Sequence, residues 1–393
     1  MKYYIIAGEA SGDLHGSNLI KGLKNIEPDC IIRCCGGDLM KEAGAQVYKH
    51  YKETAIIGFW EVLKNIRKIL KHLKNCKKDI LDFNPDVVIL IDYPGFNFRI
   101  AKFAHNNGFK VFYYIAPKIW AWKEKRGKRL KKYVDKLFSI FPFETEYFKK
   151  RWEIDTIYRG NPLLDSISRY KYIDESKEEF CNRVKIEANE RYIALIAGSR
   201  KGEIVYLLPR MLKVMEYFKE YRFLLATAPS IPDNFYHKII ENYLNKKVED
   251  NSVKEDIIKR LTLLRDQTYS IMKHSDAAII NSGTASLEGA LIGVPQVVGY
   301  GASEITYQIA KRLVKGIKYI SLANLILNKQ IFKELIQHDC TPEIISKELK
   351  EILYNVEYRN RMKEDYQKVR EILGGGGASD AIAKAMIEEI HKN

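Results

Sequence analysis

Acidic side chains and one arginine stand directly behind apolar runs, and that placement is what points to chemistry. Val87-Val-Ile-Leu-Ile91 reads as a strand buried on both faces, and Asp92-Tyr-Pro-Gly-Phe-Asn97 follows it at once. The C-terminal ends of parallel strands are where open α/β sheets bind ligands, and Pro94-Gly95 forces a turn there. A carboxylate at such an end suits a general base for a substrate hydroxyl, although an Asp capping the next helix has the same local features. A second turn has a similar build. Tyr3–Ile6 breaks on Gly8 and reopens as a helix near Ser11, in AGEASGDLHG at residues 7–16, with Glu9 and Asp13 flanking the turn. Two acids are odd for a phosphate cradle and fit hydroxyl binding better. An ordinary turn with solvated acids fits the same spacing.

Two further strand ends carry small residues. Ile193–Ile196 runs into Ala197-Gly-Ser-Arg-Lys-Gly-Glu-Ile204, where backbone N–H groups around Gly198 and Ser199 and the guanidinium of Arg200 suit a diphosphate. No Walker lysine pattern is present, so nucleotide hydrolysis is not suggested. Ala277–Ile280 runs into Asn281-Ser-Gly-Thr-Ala-Ser-Leu-Glu288. Ser282, Gly283 and Thr284 there open a helix whose N-terminus is an anion site, and Glu288 stands where a carboxylate can bridge two ribose hydroxyls. A plain helix start with hydroxyl caps has comparable local features.

Positioning these residues requires two alternating series. Residues 3–7, 30–35, 86–91, 111–115 and 136–141 read as strands, with helical periodicity over 14–24, 60–83, 98–107 and 123–134. A highly charged stretch, 165–191, carries no strand candidate. The second series has strands at 192–196, 222–227, 277–280 and 296–300, with a weaker one near 258–264. The chain ends in helices at 343–354, 356–372 and 379–391, the last after the flexible joint Gly374–Gly377. Two βαβ series joined by a polar link predict two Rossmann-like α/β domains with a cleft between them. The expected division is 1–165, 166–365 and a helical extension over 366–393.

Two basic segments stand out. Residues 55–78 set Ile56, Ile57, Phe59 and Trp60 ahead of an apolar helical stripe interspersed with Lys64, Arg67, Lys68 and Lys71, which fits either a core helix or one lying on an anionic membrane. Trp120-Ala-Trp122 precedes Lys123, Lys125, Arg126, Lys128 and Arg129. No recognised nucleic-acid module accompanies it, so this loop reads as the rim of a substrate pocket.

A net charge of +15 favours an anionic partner: nucleic acid, a membrane or phosphorylated substrates. No stretch approaches the roughly 18 apolar residues of a membrane span. The chain opens straight into a strand, which predicts a cytoplasmic protein without an export signal. The six cysteines form no CxxC pair and the eight histidines no ligand spacing, which argues against a zinc site and for reduced, buried thiols. His15 is the only histidine inside a notable motif.

Taken in order, AGEASGDLHG, IDYPGFN, YYIAPKIWAWKEKR, FPFE at 141–144, GNPLLD, GSRKGEI, NSGTASLEGAL and GVPQVVGY, with AKRLVK and SLANL after them, resemble the lipid-A-disaccharide synthase family of inverting glycosyltransferases. The resemblance runs from residue 3 to about residue 330. Gly95 stands where the family often has a second Asp, Ala197 and Ala323 replace prolines, and YGASEIT at 300–306 diverges. The resemblance implies a GT-B fold with the nucleotide on the C-terminal domain. It also implies that UDP-2,3-diacylglucosamine and 2,3-diacylglucosamine 1-phosphate are joined, with release of UDP. Losing the second acid leaves Asp92 as the base of its segment, with Glu9 as the alternative. Gly198, Ser199, Arg200, Ser282, Gly283, Thr284 and Glu288 are then the nucleotide side, and Ser11, Asp13, Asn97, Trp120 and Trp122 the acceptor side. Ile56, Ile57, Phe59, Trp60, Lys64, Arg67 and Lys68 would touch the inner membrane peripherally. No metal or cofactor is implied, nucleic acid is not expected as a partner, and a homodimer is left open. Two other readings compete. A sugar-nucleotide 2-epimerase shares the architecture without needing the basic amphipathic face. A non-catalytic membrane or nucleic-acid binder explains the charge but not acids and an arginine at successive strand ends.

Overall fold

The computed structural model describes residues 1–53, 66–120, 123–301, 307 and 318–392. Apolar runs of five or six residues need cover on both faces, and the alternating helices supply it. The first sheet contains β1 (Lys2–Ala7), β2 (Ile31–Gly36), β3 (Gln46–His50), β4 (Val87–Ile91), β5 (Lys110–Tyr114), β6 (Lys136–Ser139) and β7 (Thr156–Tyr158). They lie in the order 3-2-1-4-5-6-7, every pair parallel. The second contains β8 (Tyr192–Ile196), β9 (Arg222–Thr227), β10 (Leu261–Arg265), β11 (Ala277–Asn281), β12 (Gln296–Tyr300) and β13 (Glu334–Ile336). Its order, 10-9-8-11-12-13, repeats the same winding, again all parallel.

Each order reverses direction once, between β1 and β4 in the first sheet and between β8 and β11 in the second. A doubly wound sheet leaves a crevice for ligands outside the strand ends at that point. The register is Ala7 beside Ile91 and Ile196 beside Ile280. The turns starting at Gly8 and Asp92 are therefore neighbours, as are those after Ala197 and Asn281.

The strands read from continuous apolar runs are present, the weak candidate near 258–264 as β10. The strands β3, β7 and β13 were not legible: each is short, lies at a sheet edge, and is largely half-exposed. An edge strand needs cover on fewer sides and so carries no apolar run. The described part of the expected 60–83 helix, Ile66–Phe83, buries Leu73, Cys76, Ile80 and Phe83 in the core with Tyr4, Val88 and Leu90. That part is core helix. Arg67 and Lys68 are exposed on it, as is Leu70.

The chain divides into two units, Met1–Ser166 with Leu373–Asn393, and Ile167–Ile372. The expected extension from residue 366 is corrected accordingly. Residues 366–372 complete the helix Val356–Leu373 of the second unit, and only the last helix, Ala378–His391, belongs elsewhere. It returns to the first unit and packs on the helix Ala10–Ile26, where a Cβ on Gly22 would stand 3.0 Å from Ala383 Cβ. The Asp165 carboxylate fixes its start by accepting the N–H groups of Gly377 (2.6 Å), Ala378 (3.2 Å) and Ser379 (2.6 Å). Gly374 and Gly377 have φ of +84° and +86°, so the joint works as a turn that glycine accommodates without strain. All six cysteines are buried thiols.

Candidate active site

Asp92 is the first residue beyond β4, and its backbone is unusual. Asp92 and Tyr93 both occupy the left-handed region, at φ of 44° and 45°, where non-glycine residues cost about 1–3 kcal/mol each. Three hydrogen bonds hold this turn from behind. Tyr113 Oη donates to the Asp92 carbonyl at 2.6 Å, and Asn97 Nδ2 donates to the carbonyls of Asp92 (2.8 Å) and Ile91 (3.1 Å). The Tyr93 ring lies over Gly8, whose missing side chain makes this possible: a Cβ there would be 2.3 Å from the ring. Burial raises the Tyr93 phenol pKa, with the nearby Glu9 carboxylate adding to the effect. Glu9, at the N-cap of Ala10–Ile26, thus shares the switch point with Asp92, and Ser11 is exposed beside it.

Two residues expected on the acceptor side have other work. Asn97 is fully buried, and its amide is engaged by the two backbone carbonyls. Asp13 is 3 % exposed and accepts the N–H groups of Gly37 (2.7 Å), Leu39 (3.1 Å) and Met40 (3.2 Å), capping the short helix Asp38–Glu42. Burial raises its pKa while those three bonds oppose the shift. Neither side chain reaches a substrate from such a position. His15 is likewise interior, its pKa pushed down to about 4 by burial against the opposing charge of Asp165.

Trp120 is half-buried, and its Nε1 donates to Glu144 Oε1 at 3.1 Å. Glu144 Oε2 also accepts the N–H groups of Ile140 and Phe141, each at 3.3 Å. This buried carboxylate ties the loop after β5 to the loop after β6. Burial pushes its pKa up to about 7, against the opposing effect of the Trp120 hydrogen bond. Trp122 lies outside the described residues, as do Ile56, Ile57, Phe59, Trp60 and Lys64.

In the second unit the two turns at the switch point differ. Gly198 has φ of +117°, and a Cβ there would stand 2.6 Å from Glu203 Oε2, so only glycine fits. Glu203 Oε2 accepts the N–H groups of Ser199 (3.1 Å) and Arg200 (3.2 Å), and Oε1 lies 3.3 Å from Arg200 Nη1. The expectation that this turn's N–H groups face a diphosphate is therefore corrected. They face the protein's own carboxylate, and what the turn exposes is the Arg200 guanidinium. The helix Thr284–Ile292 is different: its N-cap residue, Gly283, has no side chain to cap it, Gly283 and Thr284 are exposed, and among the described residues nothing lies within 4 Å of a Cβ placed on Gly283. The N–H groups that open a helix have no partner within it, which makes this exposed terminus the better anion site. One turn in, Glu288 accepts the hydroxyl of Tyr269 at 2.8 Å, and burial raises its pKa, partly offset by that bond.

Tyr113, Tyr269, Glu203 and Glu144 were not read as site residues. A signal existed for two of them: Glu203 and Glu144 each stand three residues after a helix N-cap, the capping-box spacing. The tyrosines reach their partners only through the fold.

Sequence comparisons decide the family. A family model described as lipid-A-disaccharide synthetase matches residues 3–387. Relatives named lipid-A-disaccharide synthase include one from Trichlorobacter lovleyi, 33% identical over 99% of this chain and 97% of its own length, and one from Syntrophus aciditrophicus, 35% identical over 99% and 98%. The chain belongs to the lipid-A-disaccharide synthase family. It is a hexosyltransferase of lipid A biosynthesis that acts by glycosyl transfer. Solved structures show the GT-B type of fold. A Neisseria meningitidis UDP-GlcNAc 2-epimerase superimposes with a TM-score of 0.68 at 14% identity, covering 99% of this chain and all (100%) of that one. A Rickettsia africae glycosyltransferase gives 0.57 at 16%, covering 100% and 99%. At such identities the likeness is one of fold alone. It is the sequence match over nearly the whole chain that favours the synthase over the epimerase reading. Among the described residues nothing lies within 4 Å of a Cβ placed on Gly95, so none of them enforces the departure there by packing.

Proposed function

We propose that this synthase joins UDP-2,3-diacylglucosamine to 2,3-diacylglucosamine 1-phosphate, forming a β-1,6 disaccharide 1-phosphate and UDP by a single inverting displacement. The acceptor's 6-hydroxyl oxygen bonds to the donor's anomeric carbon as the bond from that carbon to the diphosphate oxygen breaks. The hydroxyl proton passes to the Asp92 carboxylate, and the electron pair leaves with UDP. The observation that carries this reading is the turn at Asp92. Two successive residues are held in a costly conformation at a sheet's switch point, and a turn kept in that state against its own strain is a feature of functional sites. Asn97 and Tyr113 are positioning residues for Asp92. Glu9, at the same switch point, is the alternative base.

On the second unit, the open N-terminus of Thr284–Ile292, with Ser282 and Gly283 before it, takes the diphosphate. Arg200 adds a full charge to the leaving group, and Gly198 and Ser199 shape its turn. Glu288, oriented by Tyr269, takes the ribose hydroxyls. Trp120, and Trp122 beyond it, form the acceptor rim with Ser11.

Acylated substrates reside in a bilayer, and no helix among the described residues is long and apolar enough to cross one. We infer that the enzyme meets the membrane surface peripherally through residues 56–71. Ile56, Ile57, Phe59 and Trp60 enter the interface, and Lys64, Arg67, Lys68 and Lys71 meet anionic headgroups.

The test incubates the protein with both acylated substrates and measures disaccharide and UDP. Asp92→Asn is expected to keep the fold and the UDP affinity while lowering turnover by roughly two to four orders of magnitude. Near-normal turnover in that variant removes Asp92 as the base. Loss in Glu9→Gln instead would transfer the role.

A further inference from the structure

The loop that carries Trp120 starts beside the Asp92 turn. The Asp92 N–H donates to the Tyr114 carbonyl at 3.2 Å, and the Ile115 N–H donates to the Phe138 carbonyl at 3.2 Å, so the chain leaves β5 flanked by the ends of β4 and β6. Ile115 occupies the left-handed region at φ of 58°, which a β-branched side chain rarely adopts. A loop that begins in so costly a form has to be held by its surroundings. Ala116 and Ile119 hold it on the core side, both buried with Leu90, Tyr113 and Leu137.

Glu144 holds its other end. Capping the helix Pro142–Trp152 uses only Oε2, which accepts the N–H groups of Ile140 and Phe141. Oε1 serves the loop, through the Trp120 indole N–H. The carboxyl is 1 % exposed, and burial raises its pKa against the Trp120 bond, the two backbone bonds and the charge of Lys118. An uncharged glutamine of the same length has one acceptor oxygen and serves either the indole or the two backbone groups, not both.

Trp120 is thereby fixed on two sides. Glu144 takes its N–H edge, and the Phe143 ring packs edge-on against it, 5.2 Å away with the planes at 82°. Phe143 is in turn stacked on buried Phe141, 5.5 Å apart and 9° from parallel. The indole itself is only half-buried. A partly open indole with its polar edge already satisfied offers a flat apolar surface on which a pyranose ring can pack. Because the ring is held beforehand, binding need not order it.

We propose that Glu144 is a positioning residue that presents the Trp120 indole as a preformed platform for the acceptor sugar. The proposal rests on the acceptor reading of Trp120 given above and adds what fixes that ring. Glu144 touches no substrate. Its action on the acceptor passes through Trp120.

The experiment measures steady-state kinetics with both acylated substrates in the unmodified protein, Glu144→Gln, Trp120→Phe and the double variant, with a thermal melt of each. Trp120→Phe keeps a ring and removes the indole N–H. Loosening the platform is expected to raise KM for 2,3-diacylglucosamine 1-phosphate roughly two- to tenfold in each single variant, with kcat and KM for the UDP-sugar within about twofold of the unmodified protein. The double variant should be no worse than Trp120→Phe, because the carboxyl acts only through the indole. Losses that multiply in the double variant, or that fall equally on both substrates, overturn the proposal. A raised acceptor KM in Trp120→Phe but not in Glu144→Gln overturns the role of Glu144 and leaves the acceptor rim standing. No change in either variant overturns the acceptor reading of Trp120, and the proposal with it. Protein labelled with 5-fluorotryptophan, its Trp120 signal identified by its loss in Trp120→Phe, gives a readout that does not depend on the folding of Glu144→Gln. In the unmodified protein that signal should shift when the acceptor is added and not when UDP is added. A Trp120 signal that ignores the acceptor overturns the proposal.

Discussion

Tyr113→Phe tests the link between backbone strain and catalysis most directly. The substitution removes one oxygen from a fully buried ring and with it the 2.6 Å bond to the Asp92 carbonyl. That carbonyl keeps its 2.8 Å bond from Asn97, so no buried acceptor is left unpaired, and the cost is that of one ordinary hydrogen bond, about 0.5–1.5 kcal/mol. The two left-handed residues store strain of comparable size, about 1–3 kcal/mol each, so losing one of their restraints lets the turn relax in part of the population. A bias of about 0.5–1.5 kcal/mol corresponds to a change of roughly two- to thirteenfold. Turnover is expected to fall by that factor with KM for either substrate unchanged, since the phenol touches neither. Melting should drop by roughly 1–6 °C for a unit of this size. Steady-state UDP release beside a thermal melt measures both. A loss as deep as that of Asp92→Asn, in a variant that melts normally, would mean that the phenol takes part in the chemistry. Unchanged turnover with a lowered melt would mean that the strained turn has no bearing on the reaction.

Other parts of the site carry three further expected outcomes. Arg200→Ala should weaken UDP binding by about 1.5–3 kcal/mol in calorimetry, and an unchanged affinity would leave the nucleotide to the Thr284 helix alone. Glu144, its pKa raised by burial to about 7 against an ordinary value of 4.5, binds more protons folded than unfolded across that interval, so its share of stability is lost as pH rises from about 5 to 8. The loss is of order 3 kcal/mol, and Glu144→Gln should flatten the fall in melting temperature over that range; an unaltered slope would show that the carboxyl is not the titrating group. Replacing both Phe59 and Trp60 by Ser should abolish sedimentation with anionic vesicles without lowering the melt. Retained binding in a normally melting protein would reject that contact.

Local sequence was enough to define most of the strands and the residues directly behind each of them. Continuous apolar runs such as Val87–Ile91 and Ala277–Ile280 have few alternatives to a doubly covered parallel strand, and the next residues stand at its C-terminal end whatever the rest of the chain does. Asp92, Glu9, Arg200 and Ser282–Thr284 were legible for that reason, as was the two-domain α/β class. Side-chain direction was not legible. Asp13 and Asn97 stand in the same motifs, yet one caps a helix formed by residues 38–42 and the other turns inward onto the backbone of residues 91 and 92. Glu203 takes the N–H groups assigned to a ligand because a carboxylate three residues into a helix reaches back to its own cap. Tertiary structure alone paired Tyr113 with Asp92 and Tyr269 with Glu288. The first of these contacts exists because β4 and β5 are neighbours in an order that reverses at β1 and β4. The return of the last helix to the first unit is of the same kind. It depends on the Asp165 carboxylate meeting Gly377–Ser379, 212 to 214 residues away along the chain. Local spacing carries no record of such a partner, because the free energy that joins them is gained only when the sheet between them has formed.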